Sequence, residues 1–275
     1  MRLATIRTAD GTRAVRIDGD RAVETGHADV GALLADPDWR RVAESADGRV
    51  HDAGALDHAP VVPRPGKIIC VGLNYAHHIA EMGRELPVHP TLFAKFPEAL
   101  IGAYDDVVLP AASEAVDWEA ELAVVIGTAV RHADERTAQA AIAGYAVLND
   151  VTARDWQYRT LQWLQGKTFE ATTPFGPELV TADEAGSALD LACDVDGDRV
   201  QTANTGDLVF CPAALISYIS TIVTLRPGDV IATGTPGGVG HARRPERYLR
   251  PGSVVTTSIT GLGECRNTCV AEKAG

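Results

Sequence analysis

Acidic side chains in two stretches are the residues whose types and spacing could do chemistry: Asp117, Glu119 and Glu121 within VDWEAELAVVI (116–126), and Asp150 at the end of YAVLND (145–150). In an extended strand side chains alternate between faces, so Asp117, Glu119 and Glu121 share one side, with the two glutamates about 6.5 to 7 Å apart at the backbone. Their face continues through Ala123 and Val125, which places the strand in a core on both sides. Carboxylates in such a place repel one another and lose hydration unless a cation neutralises them. Asp150 closes a second apolar strand in the same way. Hard oxygen ligands from Glu119, Glu121 and Asp150, with no thiolate nearby, suit Mg2+ or Mn2+, with Ca2+ as a further option, rather than zinc. Three protein ligands leave positions open, where a 2-oxo acid or 1,3-diketone could chelate while the ion stabilises its enolate.

Other chemistries lack their residues. Gly166-Lys167-Thr168 resembles the end of a phosphate loop, but Leu161 stands where that loop needs glycine. GTPGGVG (234–240) is glycine-rich without dinucleotide spacing, and neither G-x-S-x-G nor H-E-x-x-H occurs. His78 and Glu81 lie three apart, so on a helix they share a face and the carboxylate can orient the imidazole.

Turn signals and apolar runs set the elements that must hold these groups. Residues 3–6 and 14–17 read as strands around Asp10-Gly11, and 30–34 as a helix; Pro60, Pro63 and Pro65 then stiffen a connection. Strands are expected at 68–71, 92–96, 117–126, 145–148, 191–195, 229–233 and 253–259, the last two finishing the chain. Asp196-Gly197 marks a hairpin, and Pro212 suits the first position of a helix to Ile222. Further helices are expected over 75–85 capped by Asn74, over 134–142 capped by Asp134 and stopped by Gly144, and over 152–164. The order lacks regular strand–helix alternation, which favours a strand-rich α+β or mixed-sheet fold.

The 275 residues suffice for one or two domains with a core of their own, and we expect a small N-terminal domain over 1–62 and a chemistry-bearing domain over 63–275. With 25 Lys and Arg against 37 Asp and Glu, the net charge of −12 has the wrong sign for nucleic acid or an anionic membrane. No apolar run approaches the roughly 20 residues of a membrane span and Met1-Arg2-Leu3 opens no signal peptide, so a cytoplasmic protein is expected. The five scattered cysteines read as reduced thiols.

Four stretches, VGLNYAHHIAE (71–81), DWEAELAVVIG (117–127), NDVTARD (149–155) and TGTPGGV (233–239), resemble in order and spacing the fumarylacetoacetate hydrolase family, over residues 67 to 272. The resemblance implies a mixed β-sandwich roll, a homodimer, and Mg2+ or Mn2+ on Glu119, Glu121 and Asp150. It also implies that His78 with Glu81 activates water, that Lys167 stabilises oxyanion charge, and that Arg154, Gln157 and Thr235 line a substrate site. His77, beside His78, and Glu170, after Lys167, depart from the family pattern, in which both positions are often acidic or aspartate. The activity expected is hydrolysis of a carbon–carbon bond in an acylpyruvate or fumarylpyruvate-like 2,4-dioxo acid. Decarboxylation of an oxaloacetate-like 2-oxo diacid, or isomerisation of a 2-hydroxy-dienedioate in aromatic catabolism, is the alternative.

Overall fold

The computed structural model describes residues 1–273 except 82 and 84, and excepting also the side chain of Glu81. The acidic stretch seeds the architecture. Every residue of strand Ala120–Ile126 is buried, because β-branched Val124, Val125 and Ile126 suit a pleated surface covered on both faces. It pairs antiparallel with Ile142–Asn149, setting Ala120 opposite Asn149, and on its other edge with Val230–Ala232. From this centre the large sheet runs outward through Ile68–Gly72 and Thr91–Lys95 on one side and through Thr173–Thr181 on the other. A second sheet orders Asp198–Asn204, Asp190–Val195, Val254–Ile259, Gly263–Ala271 and Val107–Leu109. Both mix parallel and antiparallel pairs, so the strand-rich α+β class with mixed sheets holds.

Strand alternation divides the core. Leu122, Val124 and Ile126 enter the layer shared with Leu191, Cys193, Val255 and Ile259 of the second sheet. Ala123 and Val125 face the opposite layer, with Leu33, Leu34, Trp39 and Phe175. Full burial of one such Val, Leu or Ile is worth about 1.5 to 3 kcal/mol, so the central strand is rigidly anchored. Helix Pro212–Ile222 buries Ala213, Leu215, Ile216 and Ile219 at helical spacing, and Pro212 takes its first turn as expected. The Asp196-Gly197 hairpin forms too, with both residues at positive φ, 56° and 85°. All five cysteines are free. Among the described residues no helix is long and apolar enough to cross a membrane.

Several elements differ from the expectation. The strand over 117–126 is broken: Val116–Asp117 pairs with Thr152–Ala153, and the main strand begins only at Ala120. Asp117 Oδ1 accepts the Trp118 and Gly240 amides at 2.8 and 2.7 Å and Asn149 Oδ1 accepts the Glu119 amide at 2.9 Å, so side chains replace the ladder. In place of one helix over 152–164 stand Thr152–Ala153 and two single turns, Arg154–Gln157 and Leu164–Lys167. Gly166 is the reason, since a Cβ there would lie 2.4 Å from Gln157 N and 2.5 Å from Ala153 O, and bare backbone lets the second turn fold onto the first. Asp134 caps a helix of Glu135–Ala140, but Ile142 already opens the next strand and Gly144 lies within it. The helix after Asn74 spans Ala76–Glu81; positions 82 and 84 of the expected 75–85 helix lie outside the described residues. Asn74 Oδ1, the atom that would cap, instead accepts the Phe210 amide at 2.8 Å, and its Nδ2 donates to Phe210 O and Thr233 O at 3.0 and 2.8 Å. Thr173–Thr181 and Gly263–Ala271 are strands with no counterpart in the sequence reading. Proline in the first, and charged or amide side chains alternating with cysteine in the second, hide them.

The four leading strands do not stand apart; they extend the large sheet, Arg2 and Leu3 pairing with Val180 and Leu179. A unit boundary at 62/63 is proposed from the sequence alone, and across it Leu33, Leu34 and Trp39 share a buried core with Ala123, Val125 and Phe175. At the seam His58 sits buried, its Nδ1 donating to Pro177 O at 3.1 Å, and burial pushes its pKa below the usual histidine range. A histidine depressed in the folded state contributes stability above its unfolded pKa and loses it as pH falls. The melting temperature should therefore drop on acidification below about pH 6.5, and His58→Asn should flatten that drop. An unchanged profile in a thermal-shift series would remove His58 as its source.

Candidate active site

Two strand ends bring the acidic residues together. Glu119 lies just before Ala120–Ile126 and Asp150 just after Ile142–Asn149, and the Asp150 amide donates to Glu119 O at 2.8 Å. Asn149, fully buried, fixes this corner: Oδ1 takes the Glu119 amide while Nδ2 donates to Thr257 Oγ1 at 2.8 Å. Carboxylate oxygens of Glu119, Glu121 and Asp150 come within 4.8 Å of one another. Ligands of an octahedral Mg2+ stand about 3 to 4.2 Å apart, so a small contraction would suffice.

The surrounding charge is dense. Lys167 Nζ lies 2.6 Å from Glu119 and 2.8 Å from Asp150. Lys95 Nζ is 2.6 Å from Asp150 Oδ1. The Arg154 guanidinium spans Glu119 at 2.6 Å and Asp117 at 2.8 Å, and also donates to Gln157 Oε1 at 3.0 Å. Among the described residues four buried carboxylates thus face three buried cations, leaving one negative charge in excess. It concentrates on Glu121, which among the described residues has no cation within ion-pair distance and accepts the Gly234 amide alone, at 2.8 Å. Gly234 adopts φ +101°, and a Cβ there would lie 3.0 Å from both Asn74 Cβ and Val71 O.

Protonation follows from that imbalance. Burial first, then the charges of Asp150 and Glu119, push Glu121 well above the ordinary carboxylate range. Burial would also raise Asp150, but Lys167 and Lys95 outweigh it and hold its carboxyl low. Burial disfavours the Lys167 ammonium, yet Asp150 and Glu119 overcome it and keep the group charged. Arg154 is raised in the same way by Glu119 and Asp117.

These residues fit a divalent cation. The donor set is all carboxylate, each oxygen keeps a second lone pair after its ion pair, and one member has no counter-charge. Two buried donors nearby, Tyr75 Oη and Arg154 Nη2, have no hydrogen-bond partner among the described residues, as expected of a site that a ligand completes.

Above the acidic floor opens a cavity of about 300 Å³, lined by His78, Glu119, Glu121, Arg154, Gln157, Lys167 and Thr235 and walled by Val71, Leu73, Phe93, Trp163 and Val239. Of the metal-ligand, catalytic and substrate-binding residues expected from the sequence, the cavity gathers all except Asp150, which lies beneath, and Glu81, whose side chain lies outside the described residues; Asp117 does not line it. Lys167 Nζ also rests 4.9 Å from the Phe93 ring centroid. Thr235 Oγ1 accepts from Gln201 Nε2 at 2.9 Å, and Gln201 Oε1 takes the Ala120 amide at 3.0 Å, tying the glycine-rich turn to the central strand. His77 is exposed and turned to Asp207, 2.5 Å away, and Glu170 is exposed.

Sequence reasoning missed Lys95, Asn149, Gln201 and His241. Lys95 carried a signal, a lysine ending the otherwise apolar LFAK (92–95). Asn149 and Gln201 carried none, because their partners are backbone amides remote in sequence.

Comparisons with known proteins agree with this geometry. The family model described as Fumarylacetoacetate (FAA) hydrolase C-terminal matches residues 67–270. The human mitochondrial oxaloacetate tautomerase FAHD2A is 47% identical over 216 residues, covering 77% of this chain and 68% of that protein. The fumarylacetoacetate hydrolase of psychrophilic Exiguobacterium antarcticum superposes with a TM-score of 0.89 at 30% identity, over 99% of this chain and 100% of that one. Maleylpyruvate hydrolase of Sphingobium sp. SYK-6, solved with manganese and pyruvate, gives 0.82 at 30% identity with the same coverage. With the family match spanning the whole acidic site and the cavity above it, this chain belongs to the fumarylacetoacetate hydrolase family.

Proposed function

We propose that the protein is a divalent-metal-dependent hydrolase of 2,4-dioxo acids of the acylpyruvate or fumarylpyruvate type, yielding pyruvate and a carboxylic acid. The observation that carries this reading is the meeting of an acidic floor with an apolar wall in one cavity: the floor suits the 2-oxo acid end and the wall an acyl chain. Glu119, Glu121 and Asp150 would hold Mg2+ or Mn2+. When bound, the ion supplies electrophilic polarisation of the 2-oxo group.

The remaining work falls to the chain. His78 takes a proton from water, whose oxygen adds to the acyl carbonyl; Glu81, three residues on, holds the imidazole by a role that rests on spacing alone. Lys167, kept cationic by Asp150 and Glu119, stabilises the oxyanion. As the bond between C3 and C4 breaks, its electron pair passes to the pyruvate half, which leaves as the enolate and is reprotonated at C3. Arg154, Gln157 and Thr235 position the substrate. A homodimer and a cytoplasmic location belong to the same proposal.

Incubating the protein with Mn2+ and acylpyruvates, fumarylpyruvate, oxaloacetate or 2-hydroxy-dienedioates, and identifying products by mass, tests it: pyruvate plus a free acid is the expected result. A second reading, interconversion of keto and enol forms of an oxaloacetate-like diacid, is favoured by the 47% identity with the human tautomerase. It needs no attacking water, so an oxaloacetate absorbance change without cleavage would select it. His78→Ala should lose at least about 100-fold in hydrolysis while binding Mn2+ as wild type does; full hydrolysis by that variant would exclude His78 as the base.

A further inference from the structure

A second histidine lines the cavity, and the mechanism above does not use it. His241 borders both the inner cavity and an open vestibule that shares Arg154 and Tyr158 with it and is flanked by Tyr248 and Arg250. Its ring sits between two aromatic rings, Tyr158 at 5.4 Å and Tyr248 at 6.3 Å between centroids. Tyr248 Oη donates to Glu246 Oε2 at 2.8 Å, and His241 Nδ1 lies 2.8 Å from the same Oη. A phenol has one proton, and an ionised carboxylate can only accept. Nδ1 must therefore be the donor, which fixes the tautomer and leaves Nε2 outside this chain. Glu246 Oε1 lies 3.6 Å from Nδ1.

The cationic groups of the floor are already matched. Arg154 is paired with Asp117 and Glu119, and Lys167 with Glu119 and Asp150. A divalent ion would leave the floor with one positive charge, which the carboxylate of a 2-oxo acid cancels. A second carboxylate needs another cation at the rim. The charged and titratable groups around His241 are Tyr158 from the turn after Arg154–Gln157, Tyr248 and Glu246 from its own loop, Asp117, whose Oδ2 accepts the His241 amide at 3.0 Å, Arg244, which donates to His241 O at 3.4 Å, Arg154, which lines both spaces, and Arg250, which donates to Glu114 O at 3.3 Å and lines the vestibule but not the inner cavity. Asp117 is neutralised by Arg154, and Glu246 is held by Tyr248. We infer that His241 recognises a second carboxylate at the far end of the substrate, so that the site prefers dianionic 2-oxo acids over those with a neutral tail. The inference rests on the proposed reading only in placing the 2-oxo acid end on the acidic floor.

Titration calorimetry on the Mn2+-supplemented protein tests it with 2-oxoglutarate and 2-oxovalerate, which share chain length and differ in the terminal carboxylate. Wild type should bind 2-oxoglutarate about 10-fold or more tightly near pH 6, a charge-assisted hydrogen bond's worth. The preference should be smaller at about pH 8.5 than near pH 6, as for a carboxylate held by an imidazole rather than by a guanidinium. His241→Gln should bind both compounds alike at either pH while melting as wild type does. Should that variant melt early, Tyr248→Phe, which removes the acceptor of Nδ1–H, should weaken the preference several-fold. Absence of binding or of preference in wild type, a preference that His241→Gln retains, or one indifferent to pH would overturn the inference. Failure to cleave any 2,4-dioxo acid with the binding preference intact would instead refute the hydrolytic reading and leave His241 its role.

Discussion

Glu121→Gln is expected to abolish metal-dependent turnover and at the same time to stabilise the metal-free protein. Glu121 is 1% exposed, faces Glu119 and Asp150, and among the described residues has the Gly234 amide as its one hydrogen-bond partner. In chelator its ionised form is a buried, uncompensated charge, which is why burial and its neighbours push its pKa up. Glutamine keeps the shape and can still accept from Gly234, but removes the charge, so the variant should melt above wild type in EDTA. With Mn2+ present the order should reverse, because wild type gains binding free energy that the variant cannot. Turnover should fall by more than the roughly 10- to 100-fold typical of losing a mere supporting partner of a metal ligand. Paired melting curves with and without Mn2+, together with the product assay, decide it. A variant that is active, or whose melting temperature responds to Mn2+ as wild type does, would remove Glu121 from the ion site.

Asp150→Ala should lose turnover as completely but act on the fold in the opposite direction. Asp150 is fully buried and is the shared partner of Lys95 and Lys167. Removing it leaves Lys95 without a carboxylate partner and Lys167 with Glu119 alone. Stranding a buried charge in this way costs about 3 to 5 kcal/mol, or roughly 10 °C in melting temperature for a chain of this size. The companion variant separates the two effects: Asp150→Ala with Lys95→Met should recover much of the stability while recovering no activity. If the single variant melts like wild type, the Lys95 pair is not formed in solution; if the double variant regains turnover, Asp150 is not a ligand.

The contrast between these two carboxylates shows where the sequence stopped being informative. Both looked equivalent on the page, each an acid at the end of an apolar run. The apolar pattern was legible because burial on both faces of Ala120–Ile126 leaves a continuous hydrophobic run, and local rules likewise gave the Asp196-Gly197 hairpin, Pro212 and the Asp134 cap. The motifs around 71–81, 117–127, 149–155 and 233–239 gave the family and, before any coordinates, five of the cavity's polar residues, His78, Glu119, Glu121, Arg154 and Thr235.

Regular strand alternation put Glu119 and Glu121 side by side, but the chain breaks at Trp118 and Glu119 because Asp117 and Asn149 take over the backbone hydrogen bonds there. Likewise the helix expected over 152–164 became two turns, because Gly166 lets the chain fold back against Gln157. The residue types and order thus determined which groups this protein has for the proposed cation and 2-oxo acid sites. Only the tertiary structure decided which carboxylate is matched by lysine, which is left uncompensated, and which histidine meets a tyrosine. Those pairings join residues far apart in the chain, as Lys95 with Asp150 and Gly234 with Glu121, and the strength of a buried charge depends on partners that no local pattern encodes.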